Sequence, residues 1–365
     1  MDEYYTGFPG CGGRSVHSIA TQVSITCDEA RGKVREFINA GSENEIIWTK
    51  NSTESIATVA HGFKFKKDDV VLITDKEHNS NLVPWHILRD NIGISLKVVK
   101  SERDNTFDIE GYKSALNDKV KLVSFYHTSN IDGYTLPAKE IIEIAHDAGA
   151  RVLLDAAQST PRQTIDVKRL DVDFLVFSLH KMCGPSGLGV LYGKEDELRG
   201  LEPLSPGGDS VSNTTYESTK LLGPPRKFEG GIQNYAGIAG AGAAADYISK
   251  IGPDNINHHE MHLNTLLSEG LKDLSEISIL GPQDPHRRGG ICSFYIRGLE
   301  PHDIAMILDD GASVMVRSGT MCAHSWFNSK GLKGCVRVSF YAYNNESDVA
   351  VLLSHLKKIV GDLTT

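Results

Sequence analysis

Short apolar runs and helix-like stretches alternate along the first half of the chain. The runs fall at residues 46–48, 70–74, 96–99, 122–126, 152–155, 174–178 and 189–192. Their apolar positions are contiguous rather than alternating, the pattern of strands buried on both faces. Helical periodicity marks residues 52–62, 138–148 and 237–250. This order predicts an α/β fold with a mainly parallel, seven-stranded sheet covered on both sides. Residues 204–227 are rich in Gly, Pro and Ser and read as a long loop. After Met261 the pattern changes. Strands are expected at 277–280, 290–296 and 314–316, and helices at 301–309 and 346–359. That is a smaller α+β unit. The expected division is residues 1–262 and 263–365, with a helical region at 258–274 bridging the two.

Candidate chemistry collects where the apolar runs end. Val152–Leu154 runs into Asp155, and Phe174–Phe177 into Ser178, His180 and Lys181. In open α/β sheets ligands bind beyond the carboxyl ends of the strands, so Asp155 and Lys181 should face one crevice. A carboxylate there can hold a pyridine nitrogen protonated, and a lysine can condense with an aldehyde. Pyridoxal phosphate needs both groups. Either residue alone is as readily a helix cap or a solvated lysine. The turn of Gly184, Gly187 and Gly189 that follows lets backbone approach closely. Asn51-Ser52-Thr53-Glu54 reads as a helix start, with Asn51 as N-cap and Glu54 at the third helical position. Free N–H groups there suit a phosphate, although plain capping explains the same residues.

Composition narrows the setting. The chain has 365 residues, 40% of them hydrophobic, and a net charge of −9. Without a basic run, nucleic acid and anionic membrane are excluded as expected partners. No stretch approaches the roughly 20 apolar residues of a membrane span. The start, Met1-Asp2-Glu3-Tyr4-Tyr5, lacks a signal-peptide pattern, so the cytoplasm is expected. The six cysteines form no C-x-x-C pair, and no metal site is expected; Cys322-Ala323-His324 is a weak pair at most. Ser178-Leu179-His180-Lys181 formally matches an acylating Ser-x-x-Lys motif, but its companion motifs are not found in order.

Taken in order, the motifs resemble the class V aminotransferase family of fold-type I pyridoxal-phosphate enzymes. Within it they are most similar to group II cysteine desulfurases, a group that includes selenocysteine lyases. The resemblance rests on Glu77-His78-Asn79-Ser80-Asn81, the 155–189 block, Phe228-Glu229-Gly230-Gly231 with Asn234, Arg317-Ser318-Gly319 with Cys322, and the arginine strand around Arg337. It implies that Lys181 carries the cofactor, Asp155 pairs with its ring nitrogen and Gln158 meets its phenolic oxygen. His78 stacks on the ring and shuttles protons. Ser52, Thr53, Ser178 and His180 cradle the phosphate. Asn130 lies near the ring and the substrate carboxylate, which Arg337 clamps with Arg317 close by. Cys322 is the implied nucleophile, in a polar loop beside Arg317 and His324.

The implied activity is desulfuration of L-cysteine to L-alanine, leaving a persulfide on Cys322 for a sulfur-acceptor protein that serves iron–sulfur assembly or thio-modification. A homodimer is implied as well. Selenocysteine lyase, other amino-acid lyase or epimerase chemistry, and a low-activity cofactor-binding scaffold stand as alternatives. The chain departs from the family pattern in three places. Ile232-Gln233 replaces a Thr-Pro pair whose threonine reaches the partner's phosphate. Thr320-Met321 replaces two histidines before the nucleophile. Tyr4-Tyr5 already resembles the stretch leading into residues 14–17, so the family's upstream cap over the substrate is expected to be missing.

Overall fold

The structure, a computed structural model, describes residues 1–13 and 15–363; Arg14 of the stretch 14–17 lies outside the described residues. Seven strands build the large sheet: β1 (Ile46–Thr49), β2 (Val70–Thr74), β3 (Ser95–Val99), β4 (Val120–Tyr126), β5 (Arg151–Asp155), β6 (Phe174–Ser178) and β7 (Gly189–Gly193). Their spatial order is β1-β7-β6-β5-β4-β2-β3. Strands β3, β2, β4, β5 and β6 pair in parallel, while β7 runs antiparallel to both β6 and β1.

The contiguous apolar runs follow from burial on both faces. In β5, Val152 and Leu154 enter one apolar layer and Leu153 the other. The first layer includes Val34 of helix Ser18–Phe37, Ile141 of helix Ala138–Asp147 and Ile248 of helix Tyr235–Ile251. The second includes Ile56 and Val59 of helix Ser52–Gly62. Helix Ser18–Phe37 has no counterpart in the sequence reading. Its buried face is built from Ala20, Val23, Ala30, Arg31 and Val34, too thin an apolar stripe to stand out.

The stretch 204–227, expected as loop, contains a hairpin of β8 (Val211–Thr214) and β9 (Thr219–Leu221). Nearly all of its side chains face solvent, so burial imposes no alternation on the sequence.

The second sheet comprises β10 (Ile277–Leu280), β11 (Ile291–Ile296), β12 (Arg317–Gly319) and β13 (Cys335–Ser339). It is antiparallel, in the order β10-β11-β13-β12. Leu263 and Leu267 of helix Pro253–Leu271 pack with Phe294, Val336 and Leu356 over it. The strand expected at 314–316 lies instead at Arg317–Gly319, which pairs with Arg337, Val336 and Cys335. Val314 and Val316 pack against the core without joining the ladder, so that apolar run signals burial rather than pairing. No helix among the described residues is long and apolar enough to cross a membrane.

Candidate active site

Strands β1, β2, β4, β5 and β6 all finish at one edge of the large sheet, and each passes there into a polar loop. Ser52 and Thr53 follow β1, and His78 follows β2. Asn130 follows β4; Asp155 ends β5, with Gln158 just beyond; Ser178 ends β6, ahead of His180 and Lys181. All of these residues line one cavity of about 290 Å³, and Arg317 and Arg337 reach it from the small sheet. Of the residues picked out from sequence, Cys322 alone is not in the lining; its neighbour Met321 is.

The helix start at Ser52 is pressed against the lysine strand. A Cβ on Gly189, at the head of β7, would lie 2.6 Å from the Asn51 Cα, so only glycine permits the approach. Asn51 caps the helix by accepting from the Glu54 N–H at 3.0 Å. The Ser52 N–H donates to Ser178 Oγ at 2.9 Å, and the two hydroxyls lie 2.7 Å apart. Thr53 Oγ1 meets Ser80 Oγ at 2.7 Å. Amide and hydroxyl donors thus gather at a helix N-terminus, an arrangement that favours an anion.

Asp155 is buried, and its Oδ1 accepts from the Ala157 N–H at 3.0 Å. Burial pushes its pKa up, opposed by the Lys181 charge and the Ala157 N–H. Burial pushes the Lys181 amine down, and the charges of Arg337, Arg162 and Arg317 add to this while Asp155 resists. No hydrogen bond or ion pair among the described residues reaches the Lys181 amine. His78 is pushed down to about 4, first by burial and then by Lys181, Arg317 and Arg337, so its ring is neutral at pH 7. Its Nδ1 accepts from the Ser80 N–H at 3.1 Å, which leaves the ring proton on Nε2. His180 is also lowered, by burial and by Lys181.

Arg337 donates to the Asn130 carbonyl at 3.0 Å and to Ser339 Oγ at 3.1 Å. No carboxylate among the described residues pairs with it, and burial lowers it to about 10. A guanidinium held at a cavity wall without an acid is suited to a ligand carboxylate.

Cys322 sits in the loop after β12. Met321 and Cys322 both take left-handed backbone, with φ of +52° and +57°. Such residues cost about 1–3 kcal/mol each and persist only where surroundings hold them. The Asn130 side-chain amide donates to the Met321 carbonyl at 2.7 Å. The Asn79 N–H donates to the Cys322 carbonyl, also at 2.7 Å. Met321 is buried among Ile131, Trp326 and Phe327, so at this departure from the family pattern the side chain packs. Arg317 donates to Cys322 Sγ at 3.0 Å.

Several residues of the site escaped the sequence reading. Ser80 bridges Thr53 and His78, with 2.9 Å to His78 Nδ1. Glu77 is buried beneath His78 and pushed up to about 8 by burial. Both lie inside the quoted Glu77–Asn81 motif, where polar neighbours offered no means of ranking them. Tyr126 and Thr128 line the cavity, and Arg162 acts on Lys181 through its charge. Nothing in their sequence surroundings marked them.

A family model described as aminotransferase class-V matches residues 1–352. The chain belongs to the class V aminotransferase family. A probable cysteine desulfurase of Halalkalibacterium halodurans is 39% identical over 364 residues, covering 98% of this chain and 88% of that protein. The apo structure of a cysteine desulfurase from Thermococcus onnurineus superposes with a TM-score of 0.95 at 37% identity, over 99% of this chain and 90% of that one. A cysteine desulfurase structure from Escherichia coli gives 0.91 at 28% identity, with 99% and 90% covered.

Class V aminotransferases depend on pyridoxal phosphate, and the cavity fits that group. It offers a half-buried lysine whose amine has no partner among the described residues, a buried carboxylate, a neutral imidazole and a donor cluster at a helix start.

Proposed function

We propose that this chain is a pyridoxal-phosphate-dependent cysteine desulfurase that leaves the sulfur of L-cysteine as a persulfide on Cys322. The observation that carries the reading is the placement of Cys322. An arginine-contacted thiol is held next to Met321, which lines the cavity that Asp155 and Lys181 also line. Lys181, Asp155, Gln158 and His78 would hold the cofactor ring, with Ser52, Thr53, Ser178 and His180 around its phosphate. Bound there, the cofactor supplies a sink for electrons released at the substrate's carbon atoms.

The chain's own groups do the rest. Arg337 fixes the substrate carboxylate, because its fork has no internal acid. The Lys181 amine, with its basicity lowered by burial, moves the α-proton. Cys322 Sγ forms an S–S bond to the substrate sulfur as the carbon–sulfur bond breaks. The bonding pair stays with carbon, which takes a proton and leaves as alanine; both sulfurs are oxidised by one unit. Arg317 donates to Sγ where negative charge collects before the attack.

Cys322 is half-buried rather than sealed, which suits onward transfer to an acceptor protein. We further propose a cytoplasmic homodimer. An apolar groove lined by Ala57, Val83, Ile87 and Leu88 adjoins the cavity through Thr53 and Ser80, and Val83 and Ile87 lie half-exposed. Ile232 is exposed on the segment from which the family reaches its partner. Alanine formed from L-cysteine under a thiol reductant, with rates on selenocysteine and cysteine sulfinate alongside, tests the assignment. Alanine from L-cysteine supports it; no alanine, or product from the other substrates alone, refutes it.

A further inference from the structure

We infer that the Asn79 side chain is a positioning group for the nucleophile, holding His324 at the start of the helix after Cys322 from a segment that is anchored on either side by Glu77 and Asn81. The inference rests on the desulfurase reading above. Glu77 Oε1 accepts from Thr74 Oγ1 at 2.6 Å and from the Tyr126 N–H at 3.2 Å. Its Oε2 accepts from the Asn81 side-chain amide at 2.7 Å. Asn81 Oδ1 in turn accepts from Ser124 Oγ at 2.5 Å and from the Trp85 indole at 3.2 Å. The two ends of the segment are therefore tied to β2, to β4 and to helix Val83–Ile92.

What lies between those anchors faces the site. His78 enters the cavity, while Asn79 makes two contacts with the nucleophile loop. Its N–H holds the Cys322 carbonyl at 2.7 Å, and its side chain meets His324 Nδ1 at 2.9 Å. His324 is the first residue of helix His324–Lys330, so the grip spans the cysteine and the start of the next element. Cys322 has a left-handed backbone, and β12 ends at Gly319, three residues earlier. Local structure therefore leaves the direction of Sγ to outside contacts. The same short segment presents His78 to the cofactor cavity and fixes the thiol, which keeps the two in register.

The test compares Asn79→Ala, His324→Ala and the double variant in the full-length, cofactor-loaded enzyme. Two readouts separate the ends of the site. Exchange of the L-alanine α-hydrogen in deuterated water reports the Lys181 end. Single-turnover sulfur gain on Cys322, followed by mass spectrometry, reports the thiol. In each single variant, sulfur gain should slow about tenfold while α-hydrogen exchange stays within about twofold, as for a misplaced reacting group. The double variant should be no slower than the singles, because both remove one contact. Asn79→Asp, which can accept from the Nδ1–H form of His324, should recover part of the loss. Melting temperatures should match the wild type. Sulfur gain at the wild-type rate in Asn79→Ala, or multiplied losses in the double variant, overturns the grip while leaving the desulfurase reading intact. A wild type that gains no sulfur on Cys322 overturns that reading and the grip with it.

Discussion

Asp155 ends β5 and Lys181 follows the end of β6 by three residues; both are inner strands whose backbones are fixed by neighbours on both sides. Cys322 follows β12, a three-residue edge strand paired with β13 alone. Asp155 is placed by a ladder of backbone bonds, and Lys181 by a short helical turn that starts where β6 leaves that ladder. The thiol is placed by side chains and backbone from the opposite sheet, Asn130 and Asn79, acting on two strained residues. The contrast matches the work proposed for each end. A cofactor must be held identically through every turnover, and parallel strands buried on both faces give the stiffest frame a protein has. Under the proposed function the thiol meets a substrate inside and an acceptor outside, work suited to a loop near the surface.

The largest expected break in this comparison is at the cofactor end. Lys181→Ala should lose at least the ~10²–10⁴-fold that proton transfer contributes, and borohydride reduction should no longer fix the cofactor to the chain. Desulfuration assays and intact mass check both. Cys322→Ala should reduce alanine formation from L-cysteine to background yet keep wild-type cofactor absorbance. That result would show the two ends to be separable. If the variant instead lost the cofactor, the thiol end would be part of the cofactor frame.

Arg337→Lys keeps a charge but loses the planar fork. It should raise KM for L-cysteine about 10–100-fold, the equivalent of one charge-assisted hydrogen bond, with a smaller change in kcat. Steady-state kinetics on the cofactor-loaded enzyme decides between this and a purely structural arginine.

The smallest effect concerns the frame itself. His127 is half-buried, its Nδ1 is shielded from solvent with no partner among the described residues, and burial pushes it down to about 4 from an ordinary 6.5. The unfolded chain takes up that proton near 6.5 and the folded chain only near 4. Stability is therefore present above 6.5 and lost as pH falls through this window. His78, also pushed to about 4, adds to the same slope. His127→Gln should shrink the fall in the urea midpoint between pH 7 and pH 5 without abolishing it.

The sheet was legible because each strand is buried on both faces, which forces contiguous runs such as Val152–Leu154. The residues at those strand ends were legible with it, since a strand that ends in Asp155, or runs out just before Lys181, delivers these side chains to a known edge. The hairpin at 211–221 was not, because an exposed ladder leaves no apolar period. Arg317–Gly319 was displaced in the sequence reading because Val314 and Val316 carry the apolar signal while the pairing falls on polar residues. The grip on Cys322 was invisible for another reason. Asn79 and Asn130 act across 243 and 191 residues of chain, through a backbone carbonyl each, and neither contact leaves a pattern in either segment.

If Lys181 and Cys322 serve one reaction, the peptide-mapped mass of Cys322 after exposure to L-cysteine depends on both, and the wild type beside Lys181→Ala tests this. One added sulfur atom on Cys322 in the wild type, and none in the variant, is the predicted result. Sulfur on Cys322 in both proteins, or on another of the six cysteines in place of Cys322, would contradict it.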